Sequence, residues 1–244
     1  MDPADPGGAA ERRRLVDLLW AAPYAPRRGP RPTLTLPAIA RAGIVIADAD
    51  GLGAVTMQRV AESLDVTKMA LYRYVPGKAE LVALMIEMGV GAPPAQPANG
   101  GWRDQLDDWA RRMFDRFRRH PWALAATVGV RMMGPNELGW LERAIAALDG
   151  TGLDGGEKLD VAVLLLGHVR NLAQQVAAIP TDTPEQAMAP GLADLLRGRE
   201  DRFPALLAAA ASAASHDSRD QALDFGLSRI LDGVQLLITQ RSRS

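Results

Sequence analysis

With 244 residues, 48% of them hydrophobic, and a net charge of −1, the chain is long enough for one large or two modest domains and apolar enough for a real core. It contains no cysteine, which excludes a disulfide framework, a thiolate metal site and a cysteine nucleophile, and which fits a reducing cytoplasm. No signal-type apolar core follows the N-terminus and no apolar stretch of about 18 residues free of polar side chains occurs, so an unexported cytoplasmic protein with no membrane partner is expected.

Residues 1–32, rich in Pro, Gly and Arg, read as a flexible basic arm with a helical turn or two in ERRRLVDLLW. The end of the arm, APRRGPRPTLTLP, carries Arg27, Arg28 and Arg31, which either enter a minor groove, lie along phosphates, or solvate a tail. From 36 to 50, Ile39, Ala42, Gly43, Ile46 and Ala47 recur at helical spacing and Gly51 follows as a stop, which predicts a first helix. Thr56 is placed to cap a second, MQRVAESL, with Val60, Ala61 and Leu64 on one side. Asp65 and Val66 turn the chain, Thr67 caps a third helix through about Val75, and after Pro76-Gly77 Lys78 opens a fourth toward Met88. The run GVGAPPAQPANGG is the strongest punctuation in the chain, so a linker is expected at 91–101 between domains at 33–90 and 102–244. Beyond it, Leu106, Trp109, Ala110, Met113, Phe114 and Phe117 mark one face of a helix ending near His120-Pro121. Further helices are expected near 122–132, 136–149, 157–178, 191–210 and 219–240. No alternating run is bounded by hairpin turns, so the fold class is all-α.

Charge divides along this order. From Arg27 to Lys78 there are eight Lys and Arg against four Asp and Glu, whereas Ala79 to Ser244 carries 17 against 21. A basic segment on a mildly acidic body suits a module that meets polyphosphate through one end. The segments LDVAVLLLGHVRNLAQQVAAI and ALDFGLSRILDGVQLLI are apolar around most of their circumference and need cover on two sides. A second copy of the chain supplies it in a four-helix two-fold interface, with Leu165 and Leu227 as the positions where a charge should break the dimer; a central helix pair in a monomer is the alternative.

The second and third predicted helices form a helix-turn-helix, the third short enough to enter a major groove, where base edges are readable. Here the stretch GLGAVTMQRVAESLDVTKMALYRYVPGKAELV resembles the tetracycline-repressor (TetR) family of bacterial transcription regulators, through Thr56 opening one helix, Leu71-Tyr72 and Tyr74 in the next, and Lys78 opening the last. The similarity continues more loosely through GGWRDQLDDWARRMFDRFRRHPW and GPNELGWLERAIAAL, which look like the ligand-binding and dimerisation domain of the tetracycline-repressor branch. The resemblance implies that Thr56, Tyr72, Tyr74 and Lys78 contact phosphates, with Gln58, Lys68, Met69 and Arg73 nearest bases and Thr67 capping the reading helix. Tyrosine hydroxyls, lysine and helix N-termini suit phosphate oxygens on chemical grounds too. Arg41 and Arg59 read as ordinary surface charges.

Enzyme chemistry fails on spacing. PGK has Tyr72 where a phosphate loop needs glycine and Ala79 where it needs Ser or Thr, and GLGAVT lacks the third glycine of a dinucleotide loop. His120, His168 and His216 are too far apart for a paired-histidine metal motif or a triad, so no enzyme, no cofactor and no metal is expected. The large second domain instead carries adaptable side chains, Trp109, Met113, Phe117, Trp122, Met133 and Trp140, that suit the apolar wall of a small-molecule pocket or simply a core. His168, Asn171 and Gln175 fall on one face of a very apolar helix and need polar partners, either a ligand or the dimer and backbone. The pocket is expected between the helix from Trp102 and the one carrying His168. These features together point to a ligand-responsive transcriptional repressor that binds a near-palindromic double-stranded DNA operator as a homodimer and is released by a small apolar or aromatic effector. The alternative is a helical scaffold protein whose basic end binds acidic partners without sequence preference.

Overall fold

The computed structural model describes residues 6–20, 34–94, 100–129, 131–178, 195–214 and 221–243, and among them there is no strand. The chain forms two compact units, Met1–Gly150 and Thr151–Ser244.

The first unit holds α1 (Pro6–Trp20), α2 (Leu36–Asp50), α3 (Met57–Ser63), α4 (Lys68–Tyr72), α5 (Lys78–Val90), α6 (Trp102–Arg119), α7 (Trp122–Ala126) and α8 (Pro135–Ala146). Thr35 starts α2 by accepting from the Ala38 amide at 3.3 Å, and Gly51, at φ +78°, ends it in a conformation that costs an L side chain. Five of these helices, α1, α2, α6, α7 and α8, pack on α5. Against α2 the approach is close enough that a Cβ on Gly43 would lie 2.7 Å from the Met85 sulfur. The core between them is Ile39, Ile46, Leu81, Met85 and Ile86.

Several boundaries differ from expectation. Where a flexible arm with a turn or two was expected, α1 runs for fifteen residues, buries Leu19, and donates the Trp20 indole N–H to the Met133 carbonyl at 3.3 Å. Arg27, Arg28 and Arg31 lie outside the described residues. The third predicted helix stops at Tyr72, three residues before Val75, with the Tyr74 and Val75 amides both bonding back to the Leu71 carbonyl. The helix expected at 122–132 ends at Ala126, where the Thr127 hydroxyl donates to the Ala123 carbonyl at 2.6 Å and Gly129 turns at φ +88°. By compactness the chain divides at Gly150, because side chains pack across the Pro- and Gly-rich stretch 91–101: the Trp140 indole donates to the Gly91 carbonyl at 2.9 Å.

The second unit holds α9 (Gly155–Ala178), α10 (Pro204–Ala214) and α11 (Gln221–Arg241). Asp154 and Glu157 open α9 as a reciprocal cap, the Asp154 side chain accepting from the Glu157 amide at 2.9 Å and the Glu157 side chain from the Asp154 amide at 3.0 Å. Helices α9 and α11 pack through Val161, Leu165 and Val169 against Leu223, Leu227 and Leu231. The continuous helix expected at 191–210 is broken among the described residues by Gly198, at φ +73°, a short 3-10 turn Glu200–Arg202, and Pro204, whose ring fits only the first turn of the next helix.

Candidate nucleic-acid interface and effector-binding residues

Each helix of the α3–α4 pair is started by a threonine. The Thr56 hydroxyl accepts from the Arg59 amide at 3.1 Å, and the Thr67 hydroxyl from the Ala70 amide at 3.2 Å. Between them Asp65 takes a positive φ of 54°, and the Val66 amide closes the turn on the Ala61 carbonyl at 3.0 Å. Val60, Ala61, Leu71 and Val75 are buried and hold the pair to the body. What remains outside is the predicted contact set: Thr56, Gln58, Thr67, Lys68, Met69, Tyr72, Arg73, Tyr74 and Lys78 are all exposed.

Their geometry differs residue by residue. The Lys68 ammonium stands 5.7 Å from the centre of the Tyr72 ring, one helical turn on, within range of a cation–π contact. Met69 is 74% exposed. Arg73 and Lys78 have no ion-pair partner among the described residues, whereas Arg59 is paired with Asp50, in keeping with a surface charge. Gln58 donates to the Glu62 carboxylate at 2.6 Å, so it reaches a base only by leaving that partner. Lys78 is the first residue of α5, whose N-cap Gly77 has no side chain to satisfy the helix amides; Glu80, in the same first turn, lies near Gly77 instead.

A family model described as "Bacterial regulatory proteins, tetR family" matches residues 39–85, the span of this helix-turn-helix, and one described as "Tetracyclin repressor-like, C-terminal domain" matches residues 93–238. The chain belongs to the TetR family. It is 36% identical, over 249 aligned residues covering 96% of this chain and 89% of the relative, to the HTH-type transcriptional repressor DrrR1 of Streptomyces coeruleorubidus. An HTH-type transcriptional regulator of Saccharopolyspora erythraea is 26% identical over 77% of this chain and 79% of its own. Among solved structures, apo ActR of Streptomyces coelicolor superposes with a TM-score of 0.71 at 25% identity, covering 86% of this chain and 99% of that one. ActR in complex with actinorhodin gives 0.69 at 27%, covering 83% and 95%. Helix α1 precedes both family matches.

In this TetR-family chain the aromatic residues expected to wall a ligand site are fastened from within the first unit. The Trp109 indole donates to the Trp140 carbonyl at 2.8 Å, and the two rings meet edge to face at 6.2 Å. Trp122 donates to the Asp48 carboxylate at 2.7 Å. Trp109, Met113, Phe117, Trp122 and Trp140 are buried, and Met133 is exposed. The indole N–H groups are therefore occupied, and what these residues offer a ligand is apolar surface and ring faces.

The polar trio of α9 does not act as one buried set. Asn171 and Gln175 are exposed and bonded to each other at 2.8 Å, while half-buried His168 turns its Nε2 toward α11 with no hydrogen-bond partner among the described residues. A Cβ on Gly226 would lie 2.1 Å from that nitrogen, so the imidazole occupies the space that a side chain on α11 would fill. Among the described residues no group of three His, Cys, Asp or Glu is placed to hold a metal, and no helix is long and apolar enough to cross a membrane.

Two acidic residues that sequence reasoning passed over tie distant elements together. Asp48, at the end of α2, accepts from both the His120 Nδ1 (2.8 Å) and the Trp122 indole. Glu87, in α5, is only 8% exposed and bonds the start of α8. The signal was available for Glu87, a lone carboxylate in the apolar run LVALMIEMGV, but not its partner.

Proposed function

We propose that the chain is a homodimeric cytoplasmic repressor that reads a near-palindromic operator through α3 and α4 and leaves it when a small apolar or aromatic effector binds. The observation that carries the reading is Met69. An apolar side chain left 74% exposed, with Lys68 beside it and Arg73 one turn on, suits thymine methyls and base edges in a major groove better than it suits a core. Thr56, Tyr72, Tyr74 and Lys78 then take phosphates, and Gln58 exchanges Glu62 for a base edge. The repressor name of the Streptomyces coeruleorubidus relative and the complex of ActR with actinorhodin support repression and a small-molecule effector.

The two-fold interface is supported by apolar side chains on the outer faces of α9 and α11: Val163, Leu164, Phe225 and Leu236 are all more than half exposed. Leu165 and Leu227, expected at that interface, are instead fully buried between α9 and α11 of one chain. Selection of bound duplexes from a random pool, followed by competition with random duplex at physiological salt, tests the reading. The selected operator should survive a random-duplex excess of at least about 10³, and equal competition would favour the scaffold alternative.

A further inference from the structure

Helices α5 and α8 satisfy each other's ends. At the last turn of α5, the Glu87 carbonyl accepts from the Asn136 side chain at 2.9 Å and the Gly91 carbonyl accepts from the Trp140 indole at 2.9 Å. Asn136 and Trp140 are one turn apart on α8, as are the two carbonyls on α5, so one face of α8 rides along the free end of α5. In the opposite direction, α8 begins at an N-cap residue, Gly134, that has no side chain to offer its first amides. The Glu87 carboxylate takes that role, accepting from the Asn136 amide at 2.7 Å. Gly134 is required for space and not for its backbone angle, since φ is −86° but a Cβ there would lie 2.2 Å from Glu87 Oε2. The same loop is held by the Arg131–Glu137 ion pair, and by the Trp20 indole on the Met133 carbonyl.

We propose that Glu87 is a positioning residue: by capping α8 from α5 it makes the two helices one rigid piece, so that DNA contact at the Lys78 end of α5 is felt at the first turn of α8. This rests on the DNA-binding reading above, because Lys78 and the helix-turn-helix are the far end of the lever. The carboxylate is well suited to the part. It is an acceptor placed at the positive end of a helix, and burial leaves its geometry no freedom. Its second oxygen, Oε2, has no hydrogen-bond partner among the described residues and lies against Gly134, so the cap on α8 is made through Oε1 alone and one substitution removes it.

Amide hydrogen exchange tests this on the full chain, free and bound to the operator duplex selected above. The variants are Glu87→Ala, Glu87→Gln, and Glu87→Ala combined with Gly134→Ser, in which the serine caps α8 locally without reaching α5. In the free wild type, amides 88–91 of α5 and 136–138 of α8 should exchange with a common rate, and in the double variant at separate rates while α8 stays protected. Operator should slow amides 136–138 of the wild type by at least about fivefold, the low end of ordinary coupling between sites. Glu87→Gln, which keeps the acceptor, should retain the effect, and the double variant should lose it. Common rates and an operator effect that persist in the double variant overturn the proposal, as does a wild type that binds operator with amides 136–138 unmoved. If no duplex is preferred, the DNA reading falls, and with it the lever, while the free-state rates still decide whether Glu87 joins the helices.

Discussion

Replacing Lys78 by alanine asks whether the start of α5 rests on a phosphate. Lys78 is exposed and has no ion-pair partner among the described residues, so its loss should cost the fold little. Each neutralised phosphate contributes roughly 0.9 to the slope of log affinity against log salt, and a dimer has two copies, so the slope should become shallower by about 1.8. Between ~50 mM and ~200 mM salt, that difference makes the wild type lose about tenfold more affinity than the variant, and the gap between them closes. Titrating a labelled operator and a random duplex across a salt series reads slope and preference together. Lys78→Ala should weaken both duplexes alike. Lys68→Ala, which removes the ammonium held 5.7 Å from the Tyr72 ring, should cost about 1–3 kcal/mol on the operator and leave weak random binding nearly unchanged. An unaltered salt slope in Lys78→Ala refutes the phosphate contact, and an equal loss on both duplexes in Lys68→Ala reduces α4 to a non-specific electrostatic surface.

Three further outcomes follow from the geometry. Gly226→Ala forces a Cβ to within 2.1 Å of the His168 ring and should cost about 1–3 kcal/mol, seen as a lower Tm, and adding His168→Ala should recover most of it; strictly additive effects in the cycle would remove the contact. Burial raises the Glu87 carboxyl above its usual 4.5, although the Asn136 and Glu137 amides pull it back and the nearby Glu137 charge adds to the rise. The folded state therefore prefers the protonated form, whose stabilisation is full below 4.5 and is lost as pH rises through the folded value, so Glu87→Gln should gain in Tm on the wild type across that interval and hold a constant lead above it; a difference that does not change with pH argues against a buried charge. Val163→Asp or Phe225→Arg should give folded monomers by sedimentation, whereas Leu165→Asp should unfold the protein, since its side chain is fully buried between α9 and α11; a monomeric, well-folded Leu165→Asp would put that residue at the interface after all.

The helix-turn-helix could be read from the chain because each of its determinants acts within a few residues: Thr56 and Thr67 cap locally, the turn at Asp65 is two residues long, and Pro76 cannot continue a helix. The all-helical class followed from periodicity in the same way. Only a turn or two of helix α1 is legible locally, because Leu15, Leu18 and Leu19 make an adequate stripe only with α5 beneath them, and the surrounding Arg, Gly and Pro outweigh it. The same holds for α7 and for the break before Pro204, where short-range turn chemistry overrode an apolar pattern.

What only the tertiary structure decided are the contacts between residues far apart in the chain. Asp48 meets Trp122 across 74 residues, and Glu87 meets Asn136 across 49. Gly134 carries no cap signature of its own, so the group that caps α8 is invisible until α5 is in place. For His168, Asn171 and Gln175, helical spacing assigned a common face but not where along that face a neighbour lies, and one imidazole found α11 while the two amides found each other. Local chemistry sets where helices start and stop; which polar atoms become buried, and what they then bond, depends on the packing that brings distant segments together.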